Sequence, residues 1–452
     1  MKTDIIILTY NQLEYTKECI KSIRNYTEPG TYEIIIVDNH STDGTIEWLK
    51  KQSDLKVIYN EQNLGFSKGC NQGITVASGD NILLLSSDVV VTHCWLNNLT
   101  HCLYSDEKIG AVGPITNICS NYQDRWVGCT SMEQVHEFAE KHNKTPDAWE
   151  ERLKLVGYCM LIKKEVVDRV GLFDETFTSE SFEDDDYSFR IRLAGYKLIL
   201  CKDTFVYNFG HHSLKNSESL RNNRDKFIAK WGFDSVYSTA FRHEIIALIN
   251  KPKDHAFAVL DVGCACGGTL LQIKNLYNNA EIFGIEINEN AAVIAKLFAD
   301  VIAADIEKTP LPYPNEYFDY IILADVLEHL LDPWKTLENL KSYLKSDGKI
   351  LASIPNVMHF NVLRNLLQGN WTYEDAGILD RTHVRFFTLN EIDKMLKSAG
   401  YEACEYLPVY FNATENDKYF MQIVAAAAGN PQLAEQYRAY QYRVIASKAA
   451  GH

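Results

Sequence analysis

The segment NILLLSSDVVV (residues 81–91) combines an apolar run, a polar break and a single carboxylate. Its apolar residues 82–85 stop at Ser86 and Ser87, and Asp88 follows before further β-branched residues. A short apolar run that stops at a polar cluster predicts a buried parallel strand. In open α/β sheets, ligands bind beyond the carboxyl ends of such strands. We therefore expect Asp88 to lie at a ligand site.

Similar strands alternate with amphipathic segments along the chain, which predicts βαβ units in two successive α/β domains. The first series comprises DIIILTY (4–10), YEIIIVDN (32–39), LKVIYN (55–60) and NILLLSSD (81–88). A second series begins at AFAVLDVGCACGG (256–268), after the pattern lapses around residues 233–258. We place the domains at residues 1–240 and 241–428.

The last residues, 429–452, begin with Gly-Asn-Pro and carry spaced aromatic side chains. This composition predicts a C-terminal helical tail. Three alternatives are open for the tail: it packs on the core, pairs with a second chain in a homodimer, or touches a membrane.

The composition limits the partners and the compartment. A net charge of −15 over 452 residues argues against nucleic acid or anionic lipid as the main partner, because both attract basic surfaces. Eleven cysteines without CxxC pairs fit free thiols in a reducing compartment. The start, MKTDIIILTYN, has no signal-peptide pattern, and no apolar run approaches the roughly 20 residues of a membrane span. We expect a cytoplasmic protein without a transmembrane segment.

Polar residues follow several predicted strands of the first domain. Thr9 and Asn11 follow the first strand, and Asp38 follows the second. The sequence FEDDD (182–186) opens a predicted helix, for which Ser181 is a candidate cap. Taken alone, Asp38 is as consistent with a helix cap as with a ligand site, and a run of acids is commonly a solvated face.

Several blocks occur together in a fixed order: VDNHSTDGT (37–45), NLGFSKGCNQGI (63–74) and FEDDDYSFRIRLAGY (182–196). From residue 4 to about 232, the chain resembles family-2, inverting GT-A glycosyltransferases, in particular their rhamnosyltransferase-like branch. The resemblance implies a nucleotide-sugar donor and a glycan acceptor. It also implies a divalent metal, Mn²⁺ or Mg²⁺, that bridges the donor diphosphate.

The resemblance assigns roles to individual residues of this domain. Thr9, Asn11 and Asp38 would hold the base and ribose of the donor, and Asp88 would bind the metal. Asp184 would be the general base that deprotonates the acceptor hydroxyl, with Glu183 as the second choice.

Two positions depart from the family pattern. Ser86 stands where relatives usually carry Asp or Asn, and its hydroxyl can contact the donor ribose but adds no charge. Asn208, in VYNFGHHS (206–213), stands where many relatives carry a histidine. His211 and His212 follow it, and either is a metal ligand, a phosphate contact or a surface histidine. An alternative interpretation follows from Ser86: the first domain is a sugar-binding module that has lost catalysis.

The second domain opens with VLDVGCACGGTLLQI (259–273), which predicts a strand, a glycine-rich turn and a helix. The turn lets the backbone approach a ligand at the helix N-terminus. It also loosely fits a dinucleotide fingerprint, in which Glu286 would hold an NAD ribose.

Two further blocks, FDYIILADVLEHLLDP (318–333) and DRTHVRFF (380–387), are more specific. With them, residues 256–406 resemble class I S-adenosylmethionine-dependent methyltransferases, which have a Rossmann-like fold. The resemblance implies that Glu286 binds the ribose hydroxyls, Asp305 the adenine amine, and that Asp325 lies beside the sulfonium. The other implied cofactor-binding residues are Asp261, Gly263 and Gly267.

His329 and His383 are candidate bases for an oxygen acceptor, and a structural role is an equal alternative for each. No metal-binding cluster is evident in this half of the sequence, so we expect metal-independent methyl transfer, dominated by positioning. The leading hypothesis is a bifunctional enzyme of surface-glycan biosynthesis that transfers a sugar and O-methylates a sugar. One alternative is a methyltransferase with an inactive glycosyltransferase-like domain, and another is a glycosyltransferase with a non-catalytic Rossmann-like unit.

Overall fold

A computed structural model describes residues 1–145, 148–178, 181–210 and 217–449 of the chain. The chain divides into two compact units, Met1–Tyr237 and Ser238–His452. No helix in the described ranges combines the length and the apolar character that a membrane crossing requires.

The described residues of the first unit form ten strands. They are β1 (Thr3–Thr9), β2 (Tyr32–Asp38), β3 (Leu55–Tyr59), β4 (Asn81–Ser86), β5 (Val89–Val90), β6 (Ile109–Ile115), β7 (Trp149–Arg152), β8 (Cys159–Lys163), β9 (Lys197–Phe205) and β10 (Tyr207–Asn208). The helices are α1 (Leu13–Tyr26), α2 (Thr45–Leu49), α3 (Phe66–Val76), α4 (Trp95–Leu103), α5 (Met132–His142), α6 (Lys164–Val170), α7 (Glu183–Leu193), α8 (Ser217–Trp231) and α9 (Ser235–Ser238), which spans the boundary.

Eight of these strands form one sheet in the order β3-β2-β1-β4-β8-β6-β9-β7. The four strands predicted from the sequence, β1 to β4, are parallel to one another. The sheet as a whole is mixed, because β8 runs antiparallel to β4 and β6, and β7 runs antiparallel to β9. β5 and β10 form a separate two-stranded ribbon.

The apolar runs of the central strands are continuous because both faces of the sheet are covered. In β1, Ile5 and Ile7 belong to one apolar core and Ile6 belongs to the core on the opposite face. The central strands therefore end in a buried, rigid edge from which polar side chains emerge.

The second unit has a seven-stranded sheet. Its strands are β11 (Phe257–Val262), β12 (Ala280–Glu286), β13 (Asp300–Ala303), β14 (Phe318–Ala324), β15 (Leu344–Pro355), β16 (Tyr401–Tyr410) and β17 (Ala439–Lys448). Its helices are α10 (His243–Ile246), α11 (Gly268–Leu276), α12 (Glu289–Ala295), α13 (Pro333–Lys341), α14 (Phe360–Leu367), α15 (Leu389–Ser398), α16 (Glu415–Ala427) and α17 (Leu433–Arg438), with a 3₁₀ helix at Leu327–His329.

The strand order is β13-β12-β11-β14-β15-β17-β16. The first five strands are parallel and β17 is antiparallel to both of its neighbours. This is the Rossmann-like arrangement of class I methyltransferases, and the order of β1 to β4 in the first unit is that of a GT-A domain.

The helical tail predicted for residues 429–452 is wrong for most of its length. Among the described residues 429–449, only Leu433–Arg438 is helical, and Ala439–Lys448 forms strand β17 between β15 and β16. The buried side chains Tyr442, Val444 and Ala446 recur with period two, which is the period of a strand. Of the three alternatives for the tail, the structure supports packing within its own unit.

Candidate functional site

The donor-site candidates of the first unit meet at one edge of the sheet. Thr9 pairs with Asp38 across β1 and β2, and Ser86 pairs with the residue before Thr9 across β4 and β1. Asn11 follows β1 with a positive φ of 60°. Its side-chain oxygen accepts the N–H of Thr42 at 2.8 Å, which ties the loop after β1 to the loop after β2. The fold thus brings all four predicted donor positions together.

Asp38 is the most constrained of these residues. Its carboxylate is fully buried, and the N–H of Ser41 donates to Oδ1 at 3.0 Å. Oδ2 has no hydrogen-bond partner, and a buried acceptor left in this state costs about 1–3 kcal/mol. Such an atom is suited to accept an N–H or O–H from a bound nucleotide. The Thr9 hydroxyl, by contrast, lies 3.0 Å from that of Thr16 and is used inside the protein.

Asp88 lies in the turn between β4 and β5 and is 8% exposed. Its carbonyl accepts the N–H of Phe209 at 3.1 Å. The pairing of β5 with β10 places Asn208 opposite Val89, so the segment after β9 runs alongside this turn. His211, the second predicted metal ligand, lies outside the described residues.

Helix α7 carries the acidic run, and it begins at Glu183. Phe182 occupies the N-cap position with a left-handed φ of 71°, so the prediction of Ser181 as the cap is wrong. The N–H of Ser181 instead donates to the Glu183 carboxylate at 2.6 Å. Glu183 is thereby buried against the chain that leads into the helix, which argues against its use as the base.

The last two acids of the run form ion pairs inside the unit. Lys154 Nζ lies 2.6 Å from the Asp185 carboxylate, and both side chains are nearly buried. Asp186 is fully buried and pairs with Arg190 at 2.9 Å and Lys230 at 2.6 Å. Both carboxylates are therefore balanced by positive charge and hold α7 in place.

Asp184 differs from its neighbours, because the residue is partly exposed and both of its carboxylate oxygens accept backbone N–H groups. The N–H of Gly157 donates to Oδ2 at 3.0 Å and that of Asp185 to Oδ1 at 2.9 Å. Burial and then the charge of Asp185 raise the pKa of Asp184 to about 6. A carboxylate oriented in this way, with a pKa near neutrality, is suited to general-base catalysis.

In the second unit, the glycine-rich turn after β11 uses three left-handed residues. Gly263, Ala265 and Gly267 have φ values of 72°, 48° and 81°. A Cβ at Gly267 would lie 2.7 Å from the Phe298 ring, so packing as well as backbone geometry requires glycine there. Ala265 adopts the strained conformation, and its N–H donates to Glu286 Oε2 at 2.8 Å.

Two buried carboxylates, Asp261 and Glu286, lie beside this turn and interact electrostatically. Glu286 ends β12, and its Oε1 accepts the N–H of Asn288 at 2.8 Å, so backbone groups fix both carboxylate oxygens. Burial and the charge of Glu286 raise the pKa of Asp261 to about 7. Asp261 can therefore donate or accept a hydrogen bond at neutral pH.

The remaining two cofactor candidates are Asp305 and Asp325. Asp305 pairs with the exposed Lys308 at 2.7 Å, and this hydrogen bond lowers the pKa of Asp305. Asp325 follows β14 with a left-handed φ of 55°. Its carboxylate pairs with Arg242 and accepts the Ser353 hydroxyl at 2.6 Å.

The two histidines predicted from separate motifs lie side by side. The ring centroids of His329 and His383 are 4.7 Å apart. His383 Nδ1 lies 3.0 Å from the Ile378 carbonyl and His329 Nδ1 lies 3.3 Å from that of Thr382. Ligand atoms of Glu328 and of both histidines fall within 4.8 Å of one another. This cluster runs against the expectation that the second half holds no group of metal ligands.

Sequence reasoning missed three residues that organise these sites: Lys154, Arg242 and Glu328. Lys154 and Arg242 lie in irregular segments, where no periodicity marks a partner for a distant carboxylate. Glu328 carried a signal, since it and His329 interrupt the apolar run VLEHLL (326–331).

Comparison with protein families gives one match in each unit. Residues 4–171 match the family described as glycosyl transferase family 2. Residues 233–406 match a methyltransferase domain family. The chain thus contains a family-2 glycosyltransferase domain followed by a methyltransferase domain.

Individual relatives agree with this division. Glycosyltransferase AglE of Haloferax volcanii is 27% identical over 204 residues, which cover 44% of this chain and 64% of the relative. An uncharacterized glycosyltransferase of Haemophilus influenzae is 32% identical over 118 residues, 25% of this chain and 36% of the relative. A ubiquinone biosynthesis O-methyltransferase of Coxiella burnetii is 23% identical over 164 residues, 35% of this chain and 69% of the relative. The chain spans less than two thirds of the two glycosyltransferase relatives.

Proposed function

Because the chain joins a glycosyltransferase domain to a methyltransferase domain, we propose that it is a bifunctional enzyme of surface-glycan biosynthesis in the cytoplasm. It transfers a sugar from a nucleotide-sugar donor to a glycan acceptor with inversion. It also O-methylates a sugar with S-adenosylmethionine as the methyl donor.

The observation that carries the sugar-transfer half is the environment of Asp184. Among residues 183–186, Asp185 and Asp186 have cationic partners and Glu183 accepts a backbone N–H. Asp184 is partly exposed, and no ion pair between described residues includes it. An inactive sugar-binding module has no need of a carboxylate held in this way.

The donor side of the site is compatible with a nucleotide diphosphate and a divalent metal. Asp38 Oδ2 is a buried acceptor without a partner, which fits an N–H or O–H of the nucleoside. Asp88 supplies one carboxylate, and hard divalent cations prefer such oxygen ligands. When bound, the metal would neutralise charge on the departing nucleoside diphosphate.

Inversion follows from a single displacement. Asp184 would take the proton of the acceptor hydroxyl while that oxygen forms a bond to the anomeric carbon. The bond from this carbon to the diphosphate oxygen breaks on the opposite face. The two hydrogen bonds from Gly157 and Asp185 hold the Asp184 carboxylate in one orientation for this transfer.

In the methyltransferase domain, positioning supplies most of the catalysis, since the sulfonium is already an activated donor. Glu286 is oriented by two backbone N–H groups for the ribose hydroxyls. Asp325, held by Arg242 and Ser353, would lie beside the sulfonium end. His329 and His383 would contact the acceptor.

The fusion supports a shared substrate for the two reactions. A tether presents the product of one domain to the other at an effective concentration of about millimolar. We propose that the methylated sugar is the transferred sugar or the residue next to it.

Thermal unfolding tests the donor site and identifies the donor nucleotide. The full chain is melted with UDP, dTDP or GDP, each with Mn²⁺ or with EDTA. We expect one nucleotide to raise the melting temperature in a metal-dependent manner, because a ligand at 100 times its Kd stabilises the native state by about 2.7 kcal/mol. Asp88→Asn should lose this shift, and Asp168→Asn, at an exposed position on α6, should retain it.

S-adenosylmethionine serves as the second ligand in the same series and should stabilise all variants. If S-adenosylmethionine stabilises the wild type and no nucleotide does, the protein is a methyltransferase whose glycosyltransferase-like domain is inactive. If a nucleotide binds and S-adenosylmethionine does not, the methyl-transfer half is wrong.

A further inference from the structure

One side-chain cluster of the second unit is not needed to bind the cofactor. Glu328 and His329 lie on the 3₁₀ helix after β14, and His383 lies on the loop that precedes α15. One ligand atom from each residue falls within 4.8 Å of the other two. The loop is held against the 3₁₀ helix, because the Glu328 carbonyl accepts the N–H groups of Val384 and Arg385 at 2.9 and 3.0 Å.

The environment of Glu328 is the main evidence that this cluster binds a cation. Its side chain is 1% exposed, and neither carboxylate oxygen has a hydrogen-bond partner. Another buried carboxylate of the same unit, Asp319, is bonded to Lys345 at 2.7 Å and to the N–H of Ala258 at 3.0 Å. Buried carboxyl groups in proteins are hydrogen-bonded, paired with a cation or bound to a metal, and Glu328 has no hydrogen-bond partner among the described residues.

The histidines are oriented as metal ligands usually are. In both rings, Nδ1 faces a backbone carbonyl, that of Ile378 for His383 and that of Thr382 for His329. A metal-binding histidine typically donates one ring N–H to such a carbonyl and uses its other nitrogen for the metal. The Thr382 hydroxyl also lies 3.3 Å from His329 Nδ1, but it donates its proton to Asp380 at 2.6 Å. Nδ1 can therefore be the donor in both rings, which leaves Nε2 for the metal.

We propose that Glu328, His329 and His383 bind one divalent transition-metal ion in the methyltransferase unit. Two imidazoles and one carboxylate suit Zn²⁺, Fe²⁺, Co²⁺ or Ni²⁺ better than Mg²⁺ or Ca²⁺, which prefer all-oxygen sites. Three protein ligands leave coordination positions open, which is the pattern of catalytic rather than structural metal sites.

The role of the metal rests on the proposed methyl transfer. An acceptor hydroxyl bound at an open position would lose its proton to solvent more readily. Its oxygen would then form a bond to the methyl carbon as the bond from that carbon to sulfur breaks, which leaves a neutral thioether. This role replaces that of His329 and His383 as bases and makes methyl transfer to oxygen metal-dependent.

Cobalt absorption tests the site independently of activity. Full-length protein stripped with EDTA is titrated with Co²⁺ in the absence of nucleotide, so that the donor diphosphate is not present to recruit metal at Asp88. We expect visible absorption bands that saturate near one equivalent, and Zn²⁺ should displace them. Glu328→Gln and His329→Ala should each weaken Co²⁺ binding by at least ~100-fold, since even outer-shell changes cost 10–100-fold.

Two variants serve as controls. Asp88→Asn and the exposed His255→Gln should retain the bands. His329 is only partly buried, so His329→Ala should fold even if a change at the buried Glu328 does not. Melting without metal checks this directly, and Glu328→Gln should be as stable as the wild type or more stable, because it removes a buried carboxyl group that has no hydrogen-bond partner.

The possible results distinguish a failure of the proposed metal site from a failure of the proposed methyl transfer. Absence of bands in the wild type, or bands that persist in both Glu328→Gln and His329→Ala, would overturn the metal site. S-adenosylmethionine binding is measured by calorimetry on the same samples. Saturating bands in a protein that does not bind S-adenosylmethionine would support the metal site and overturn methyl transfer.

Discussion

Two acidic segments, one in each unit, differ in whether their buried carboxylates have cationic partners. At the start of α7, the buried Asp185 and Asp186 are matched by lysine and arginine side chains. After β14, Asp325 is matched by Arg242, but Glu328 is buried without a hydrogen-bond partner. Both segments follow the same local pattern, in which acids cluster where a helix begins. The difference lies in the partners supplied by distant parts of the chain.

The comparison separates carboxylates that hold the fold from those that are available to ligands. A buried acid with a cationic partner is satisfied and stabilises its surroundings. An acid that has no hydrogen-bond partner, or that is partly exposed and has no cationic partner, is available for a proton or a metal. This criterion supports our proposals for Asp184 and Glu328, and it favours a structural role for Asp185 and Asp186.

The largest expected effect is at Asp184. Asp184→Asn should lower sugar transfer by about 10³-fold, about 4 kcal/mol in the barrier, because an amide cannot accept the acceptor's proton. Asn keeps one of the two backbone hydrogen bonds, and its NH2 group cannot accept the other, so we expect a loss of stability of no more than about 1–3 kcal/mol, which leaves the enzyme folded in the assay. Release of nucleoside diphosphate from the nucleotide sugar measures the reaction.

Asp168→Asn controls for the loss of a carboxylate from the same unit, and binding of S-adenosylmethionine reports on the integrity of the rest of the chain. Activity of Asp184→Asn within about threefold of the wild type would remove Asp184 from the mechanism and return Glu183 to consideration.

Much of the fold could be predicted because its strands are apolar on both faces and end in polar residues. The runs around Ile5–Ile7 and Ile82–Leu85 specify their strands locally. Strand β17 was missed because its alternating residues 442–446 follow a Gly-Asn-Pro turn and a short helix. Its place between β15 and β16 depends on pairing with strands that are distant in sequence.

Some residues of the candidate sites could likewise be predicted from local sequence, and others could not. Thr9, Asp38 and Ser86 could be placed together because each ends or nearly ends a predicted strand. Lys154 and Arg242 could not be paired with Asp185 and Asp325, because ion pairs between irregular segments and strand or helix ends leave no periodic signal.

A stability measurement tests whether Asp185 is structural. Lys154→Met should destabilise the first unit by about 3 kcal/mol, because it leaves the buried Asp185 carboxylate without its cation. Lys21→Met is the matched control, since Lys21 pairs with Glu18 on the surface and such pairs contribute less than about 1 kcal/mol. Urea unfolding of both variants gives the difference. Equal stability of the two would show that the Lys154–Asp185 pair does not hold α7.

The smallest effect, and the most specific, is on the pH dependence of sugar transfer. Burial and Asp185 raise the pKa of Asp184 to about 6, whereas Lys154 opposes the rise. Since the ionised carboxylate is the base, kcat/KM should increase with pH, reach half its maximum near pH 6 and be about tenfold lower at pH 5. Asp185→Asn should move the midpoint to lower pH, because it removes a negative charge, and Lys154→Met should move it to higher pH.

The midpoint does not depend on the amount of folded enzyme, so a loss of stability in either variant leaves the comparison intact. Opposite shifts would locate the titrating group between Asp185 and Lys154, where Asp184 lies. Shifts in the same direction, or a midpoint that neither variant moves, would assign the pH dependence to a group elsewhere. The catalytic carboxylate would then have to be sought outside residues 183–186.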